Sequence, residues 1–259
     1  MTHKLFYNDS NHSLAYTDFG NKDGIPLIVQ HGMIASIKDE YLFGNHLKES
    51  ARIICVARPG YGESSPFVMD SYLEWGHIIS ILANDLSLET FDIFSSSAGA
   101  PYGYAIGKVC SDKVRNMYIF SGTPALYDEE VQSGWPYPIV TNLSVEDSRK
   151  IAYDIFFADI PYELSNNDDI KDSKNNNCFG VGQDLRIRFR DWGFTLSDIK
   201  AKVFMQHSKK DEVQPYKTAI RTSQLLPDCT LELLENGVHF SVESFQSFIE
   251  KTIIKQINY

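Results

Sequence analysis

The chain has 259 residues, of which 43% are hydrophobic, and a formal net charge of −10. This length is enough to bury the core of one large domain without support from disulfides or metals. The acidic balance argues against nonspecific binding to nucleic acid or to an anionic membrane surface, because both carry negative charge. No stretch approaches the roughly 20 consecutive apolar residues that a membrane-spanning helix needs.

The N-terminal segment and the cysteines bear on the cellular compartment. Residues 1–9 contain no apolar run of signal-peptide length. The four cysteines are Cys55, Cys110, Cys178 and Cys229, and they show neither a C-x-x-C pair nor metal-ligand spacing. We therefore expect reduced, structural cysteines in a cytoplasmic protein.

Short apolar runs alternate with helical patterns along the first half of the chain. The runs at 25–30, 51–56, 91–94 and 114–120 are rich in β-branched or aromatic residues and predict buried strands. The pattern at 72–88 predicts a helix between the second and third of them. Strands that alternate with helices favour an α/β fold with a mostly parallel sheet and helices on both faces.

Ser97 lies where one of these strands passes directly into a helical pattern at 100–110. A serine at such a corner has its hydroxyl pushed out of the fold, provided that the residues two before and two after it are small. Here those residues are Ser95 and Gly99. The pattern is close to the nucleophile elbow G-x-S-x-G, with Ser95 in place of the first glycine. The alternative is a polar turn between a strand and a helix.

The alternation stops after residue 122. A helix is predicted to start at Ser144, with acidic residues in its first turn and apolar residues at helical spacing through 156. Residues 165–177 predict a polar loop. Residues 185–190 alternate apolar side chains with three arginines, which are expected to share one face, either a solvated face or one that binds an anionic substrate.

Buried strands resume in the last third of the chain, at 202–207 and 231–234. A loop that contains Asp211 follows the first of them, and a loop that contains His239 follows the second. The carboxyl ends of parallel strands meet at one sheet edge, so both loops are expected near Ser97. A serine hydroxyl needs an adjacent base that a third group holds in place. An amphipathic helix bearing Phe245, Phe248, Ile249 and Ile253 is expected to close the chain.

These blocks together resemble the α/β-hydrolase family. Two further segments add to the resemblance, Val29-Gln30-His31-Gly32-Met33 and Ala57-Arg58-Pro59-Gly60-Tyr61-Gly62-Glu63-Ser64. The similar blocks occur in the family's order and run from about Leu27 to Phe240. Two positions depart from the family's pattern, Ala57, where many members carry an acidic residue, and Ser95.

The resemblance implies a core domain formed by residues 1–122 and 201–259, with a mainly helical cap insertion at 123–200. The alternative for the insertion is a surface excursion without a catalytic role. The resemblance also implies an oxyanion hole formed by the backbone N–H groups of Met33 and Ala98.

A catalytic triad of Ser97, His239 and Asp211 is the implied active site. The family's other location for the acid corresponds here to Asp128, Glu129 and Glu130, which stay an alternative. Among the other histidines, His31 is expected to hold the neighbouring loop by hydrogen bonding, and His207 to lie too close to its strand end to face Ser97.

Four aromatic residues of the insertion are candidates for the pocket wall, with core packing as the alternative for each: Trp135, Tyr137, Trp192 and Phe194. Trp192 is the preferred substrate-binding candidate. No cofactor or metal motif is found, and none is expected.

The expected activity is that of a serine hydrolase, carboxylesterase-like, on a small ester or related acyl substrate. The first alternative keeps the fold and changes the reaction to C–C bond hydrolysis, peracid formation or a lyase step. The second is a non-catalytic binding protein of the same fold, and the presence of all three triad residues argues against it.

Overall fold

The computed structural model describes residues 1–7 and 12–258. In this part of the chain, eight strands form one sheet in the order β1-β2-β4-β3-β5-β6-β7-β8. The strands are β1 Thr2–Tyr7, β2 His12–Gly20, β3 Ile25–Gln30, β4 Ala51–Val56, β5 Phe91–Ser96, β6 Val114–Phe120, β7 Lys202–Ser208 and β8 Cys229–Leu234.

Strands β3 to β8 pair with one another only in parallel, which confirms the expected mostly parallel sheet. The sequence pattern did not predict β1 and β2, which are antiparallel to each other and extend the sheet beyond β4. Residues 8 and 9, which belong to the N-terminal segment without a predicted signal peptide, lie outside the described residues.

Helices cover both faces of the sheet. They are α1 Gly44–Ser50, α2 Tyr72–Asp85, α3 Ala100–Val109, α4 Glu129–Ser133, α5 Val145–Phe156, α6 Asp168–Ile187, α7 Tyr216–Gln224, α8 Val242–Phe248 and α9 Ile254–Ile257. Ile28 of β3 packs with α2 and α3 on one face, whereas Leu27 and Val29 pack with α1 and α8 on the other. Successive side chains of a strand point to opposite faces, so the apolar residues of β3 pack into two cores, one on each face of the sheet.

Two helix bounds differ from the predicted ones. The helix predicted over 72–88 ends at Asp85, and Ser87 has a positive φ of 54° that is incompatible with continuation. The C-terminal amphipathic helix consists of α8, a π-helical turn at Ile249–Ile253 and α9. Its four predicted apolar residues are all buried.

The segment between β6 and β7 contains α4, α5 and α6. The polar loop predicted over 165–177 is wrong, because α6 starts at Asp168 and buries Asp172 and Ser173. The helix is broken at Asn175–Cys178, where three consecutive residues have positive φ. Asparagine tolerates this conformation better than most residues, so the run of asparagines allows the break.

No helix in the described ranges is long and apolar enough to cross a membrane.

Candidate active site

The turn after β5 holds Ser97 in a strained conformation. Ser97 has a positive φ of 49°, and a single 3₁₀ turn over Ser97–Gly99 joins β5 to α3. A Cβ on Gly99 would lie 2.4 Å from the carbonyl oxygen of Gln30, so only glycine fits beside the end of β3. Non-glycine residues with positive φ are uncommon and concentrate at functional sites. The turn thus exposes the serine hydroxyl at the carboxyl edge of the sheet.

The departure at Ser95 is accommodated by a glycine in the following helix. A Cβ on Gly103 would lie 2.1 Å from the Oγ of Ser95, which is buried and has no hydrogen-bond partner. Gly103 of α3 therefore leaves the room that the side chain of Ser95 needs, which a glycine at position 95 would not require. In the sequence, the feature that indicates this packing is Gly103, eight residues beyond Ser95.

Three polar side chains from three loops form one hydrogen-bonded chain. The Nε2 of His239 lies 2.8 Å from the Oγ of Ser97, and its Nδ1 lies 2.7 Å from the Oδ2 of Asp211. This is the order in which an imidazole accepts a proton from a hydroxyl while a carboxylate orients the ring.

The carboxylate of Asp211 is itself fixed by its own loop. Its Oδ1 accepts hydrogen bonds from the backbone N–H groups of Val213 and Gln214, both at 2.8 Å. Burial acts to raise the pKa of Asp211, but the hydrogen bonds from His239 and from these amides outweigh it and hold the pKa below its ordinary value. Asp211 therefore stays ionised, and one of its oxygens remains directed at the imidazole.

His207 lies behind Asp211 and does not contact Ser97. Its Nε2 donates to the carbonyl oxygen of Gln214 at 2.7 Å and lies 3.3 Å from the Oδ2 of Asp211. Burial lowers the pKa of His207, so the ring is neutral and adds no competing charge beside the carboxylate.

The loop after β3 passes directly beside the serine. A Cβ on Gly32 would lie 3.7 Å from the Cβ of Ser97. The Nε2 of His31 accepts the backbone N–H of Arg58 at 3.2 Å, which leaves its Nδ1 to donate to the carbonyl oxygen of Gly32 at 2.7 Å. Burial lowers the pKa of His31 well below its ordinary value, so the ring stays neutral.

The buried ion pair of Arg58 and Asp184 also fixes the loop after β3, and no sequence pattern predicted this pair. Arg58 donates to the carbonyl oxygens of His31 and Gly32 at 2.5 and 2.9 Å, and to Asp184 at 2.7 Å. Asp184 also accepts the hydroxyl groups of Tyr61 and Tyr102. Because Asp184 belongs to α6, this cluster joins the β3 loop to the segment between β6 and β7.

Ser97 and His239 open into a cavity of about 750 Å³ with mostly apolar walls. Met33 and Ala98 line it, and so do side chains of the segment between β6 and β7, among them Trp135, Tyr137 and Arg188. Apolar walls of this kind lower the local dielectric constant and thereby strengthen the electrostatic interactions of the few polar groups in the cavity.

Two of the four predicted wall residues do not reach the cavity. Trp192 is fully buried and packs its ring against Tyr72, Tyr127 and Phe194, so the prediction that it binds substrate is wrong. Phe194 is likewise a core residue. Trp135 and Tyr137 do line the cavity.

The alternative acids and two of the three arginines at 185–190 have other partners. Asp128 caps α4 and pairs with Arg221, and Glu130 also contacts Arg221, so these carboxylates are engaged away from His239. The expectation that the three arginines share one face is wrong. Arg186 and Arg190 both pair with Asp70, whereas Arg188 lines the cavity.

The described residues contain no group of three or more His, Cys, Asp or Glu side chains that could hold a metal ion. The four cysteines are free, and three of them are buried. Burial raises the pKa of Cys110 to about 11 and that of Cys229 to about 12, which keeps these thiols protonated and unreactive.

Comparisons with known proteins bear on the fold. No family model matches the chain. A Bacillus subtilis protein described as an uncharacterized hydrolase, YcgS, is 26% identical over 98 residues, which cover 38% of this chain and 34% of that protein.

Solved structures match over the whole chain. An esterase from Exiguobacterium antarcticum superposes with a TM-score of 0.74 at 19% identity, covering 100% of both chains. An α/β-hydrolase fold protein from Chitinophaga pinensis gives a TM-score of 0.65 at 19% identity, covering 100% of this chain and 96% of that one. A meta-cleavage product hydrolase from Pseudomonas fluorescens gives 0.71 at 18% identity, covering 99% and 97%. The chain therefore has the α/β-hydrolase fold.

Proposed function

We propose that this α/β-hydrolase-fold chain is a serine hydrolase, carboxylesterase-like, that cleaves a small ester or related acyl substrate. The observation that carries the proposal is the hydrogen-bonded chain from Ser97 through His239 to Asp211 at the wall of an apolar cavity. The esterase among the structural neighbours and the relative described as a hydrolase support it.

The proposed reaction begins with attack of the Ser97 Oγ on the substrate carbonyl carbon. His239 accepts the serine proton at Nε2, and Asp211 stabilises the imidazolium that forms. Collapse of the tetrahedral intermediate breaks the ester bond while His239 gives its proton to the leaving oxygen. Water, activated by the same imidazole, then attacks the acyl-enzyme and releases the acid.

The backbone N–H groups of Met33 and Ala98 are the proposed donors to the tetrahedral oxyanion. Both residues line the cavity on either side of Ser97. Ala98 lies in the turn that leads into α3, so the positive end of that helix faces the same point. Loss of one donor of this kind typically lowers turnover by about 10²- to 10³-fold.

We further propose that residues 123–200 act as a cap that shapes the acyl pocket. Trp135, Tyr137, Ile155 and Phe156 from this segment form apolar walls of the cavity. We expect this partly enclosed pocket to favour short, largely apolar acyl groups, because its walls offer few polar groups.

Covalent labelling tests the nucleophile. A fluorophosphonate probe should label the wild-type protein at Ser97, and Ser97→Ala should abolish both labelling and hydrolysis of 4-nitrophenyl butyrate. Ser96→Ala is the matched control, since it removes the neighbouring hydroxyl of the same turn. A label that maps to Ser96 or Ser121 would show that the elbow is misassigned.

A chain-length series tests the pocket. Rates on 4-nitrophenyl esters from acetyl to decanoyl should peak at short chains. A steady rise with length, together with activation at a lipid interface, would mean that residues 123–200 are a lipase lid, and the size prediction would fail.

Hydrolysis of a C–C bond is the second candidate, and the structural similarity to a meta-cleavage product hydrolase favours it. The same serine and histidine would then act on a diketone. Turnover of a diketone in preference to every ester of the series, lost in Ser97→Ala, would select this reaction.

A further inference from the structure

Arg188 differs from every other arginine of the chain. The sequence contains eight arginines, and seven of them form an ion pair with a carboxylate or donate to a carbonyl oxygen: Arg52, Arg58, Arg115, Arg149, Arg186, Arg190 and Arg221. The guanidinium of Arg188 has no hydrogen bond or ion pair within residues 1–7 and 12–258.

This unpaired cation lies in the wall of the cavity that contains Ser97. Arg188 directly follows α6 and is half-buried, with its Nε–H buried without an acceptor and its terminal nitrogens accessible. Its Cζ lies 4.9 Å from the ring centre of Phe189 and 6.0 Å from that of Trp135. The aromatic rings hold the guanidinium in place but do not neutralise it.

Within the described part of the chain, none of the carboxylates that line the cavity forms an ion pair with Arg188. Asp184 lines the same cavity, but its oxygens already accept four hydrogen bonds from Arg58, Tyr61 and Tyr102. Asp39 and Asp169 also line the cavity, and their side chains are hydrogen-bonded to each other. An unpaired charge with restricted access to water is costly, so its retention at this place points to an anionic ligand.

We propose that Arg188 binds a carboxylate carried by the substrate, so that the site acts on esters whose far end is a free carboxylate. The inference rests on the proposed function, because it places the carboxylate relative to the ester that Ser97 attacks. A carboxylate fits better than a phosphate monoester. One guanidinium balances one negative charge, and its planar fork matches the two oxygens of a carboxylate. A dianion would keep an excess negative charge beside the carboxylate of Asp184.

The experiment compares charged and neutral esters on wild-type protein and three variants. The charged esters are the mono-4-nitrophenyl esters of succinate, glutarate and adipate, whose length varies the distance between ester and carboxylate. The neutral partners are 4-nitrophenyl butyrate, pentanoate and hexanoate. The measured quantity is the ratio of kcat/KM for each charged ester to kcat/KM for its neutral partner.

The best charged ester should lose roughly 10- to 100-fold in this ratio in Arg188→Met, the size expected for one charge-assisted hydrogen-bonded pair. Arg188→Lys should recover part of the loss, because it keeps the charge without the fork. Arg190→Met is the matched control from the same turn and should leave the ratio unchanged, since Arg190 pairs with Asp70.

Stability separates binding from a structural role. Arg188→Met removes an unpaired charge, so its melting temperature should equal or exceed that of the wild type. A fall in melting temperature with an unchanged ratio would mean that Arg188 only supports the fold, and it would overturn the inference.

The two proposals fail in different ways. If no ester of either kind is cleaved and the fluorophosphonate does not label Ser97, the proposed hydrolase function fails. If Ser97 is labelled and both charged and neutral esters are cleaved, but the kcat/KM ratio falls for no charged ester in Arg188→Met, the carboxylate site alone is refuted.

Discussion

Substitution of Asp184 by alanine is expected to destabilise the protein strongly and to disturb the loop after β3, which contains His31 and Gly32, at the same time. The carboxylate accepts hydrogen bonds from Arg58 at 3.3 and 2.7 Å, from Tyr61 at 2.7 Å and from Tyr102 at 2.5 Å. The side chains of Arg58 and Asp184 are 1% and 2% exposed, so the arginine left behind could not recruit bulk water.

The size of the stability loss is set by the Arg58 charge that stays buried, not by the net stability of the ion pair. A buried ion pair contributes little net stability, but removal of one partner costs about 3–5 kcal/mol because the other charge stays buried. For a chain of this size that free energy corresponds to a fall in melting temperature of roughly 6–20 °C. Asp154→Ala is the control, because Asp154 forms an exposed pair with Lys150, and such pairs contribute about 0–1 kcal/mol.

Urea denaturation measures the loss, and ester hydrolysis measures its consequence. Arg58 donates to the carbonyl oxygens of His31 and Gly32, so Asp184→Ala should also lower kcat at temperatures where the variant is folded. The double variant Arg58→Met with Asp184→Leu removes both charges and should lose less stability than Asp184→Ala alone. A loss below about 1 kcal/mol in Asp184→Ala, with kcat unchanged, would refute the reasoning.

Three further outcomes are expected. Trp192→Ala should lose about 3–5 kcal/mol of stability in denaturant melts but keep the order of preference in the ester series, because the ring is core and not pocket wall; a changed order would contradict this. Gly99→Ala should lower kcat more than tenfold (about 1.4 kcal/mol in the barrier), since its Cβ would meet a backbone oxygen at 2.4 Å; wild-type activity would show that the turn can relax. Burial and the hydrogen bond with Asp169 raise the pKa of Asp39 to about 7. The stability from this raised pKa is present below about pH 4 and is lost as the pH rises through about 7. The melting temperature of Asp39→Asn should therefore gain on the wild type between about pH 5 and pH 8, and that of the control Asp159→Asn should not.

The alignment of Ser97, Asp211 and His239 was predictable because each follows a strand that the apolar pattern marks clearly. Parallel pairing of those strands places their carboxyl ends at one edge, so local patterns determine where the three side chains meet. The antiparallel β1 and β2 were missed, because their residues mix polar and apolar types without the apolar run of a buried parallel strand.

Other parts of the site depend on contacts that no local pattern contains. Arg58 and Asp184 are 126 residues apart, and nothing near either residue identifies the other as its partner. Trp192 was interpreted as a pocket residue from its type and its place in the insertion. A large aromatic ring suits a pocket wall and a core equally well, so only the packing separates the two.

The three arginines of α6 and of the turn after it have different surroundings in the structure. Arg186, Arg188 and Arg190 look equivalent in the sequence, where each alternates with an apolar residue. On a helical path, positions two apart point in different directions, and Asp70 reaches only the first and the third. Arg188 has no ion pair among the described residues, because the nearby carboxylate of Asp184 is already bonded to Arg58, Tyr61 and Tyr102. The proposed selectivity for a carboxylate thus depends on Arg188 having no acidic partner within the described residues. A local sequence pattern cannot show this, because it does not reveal which distant residues lie near an arginine in the fold.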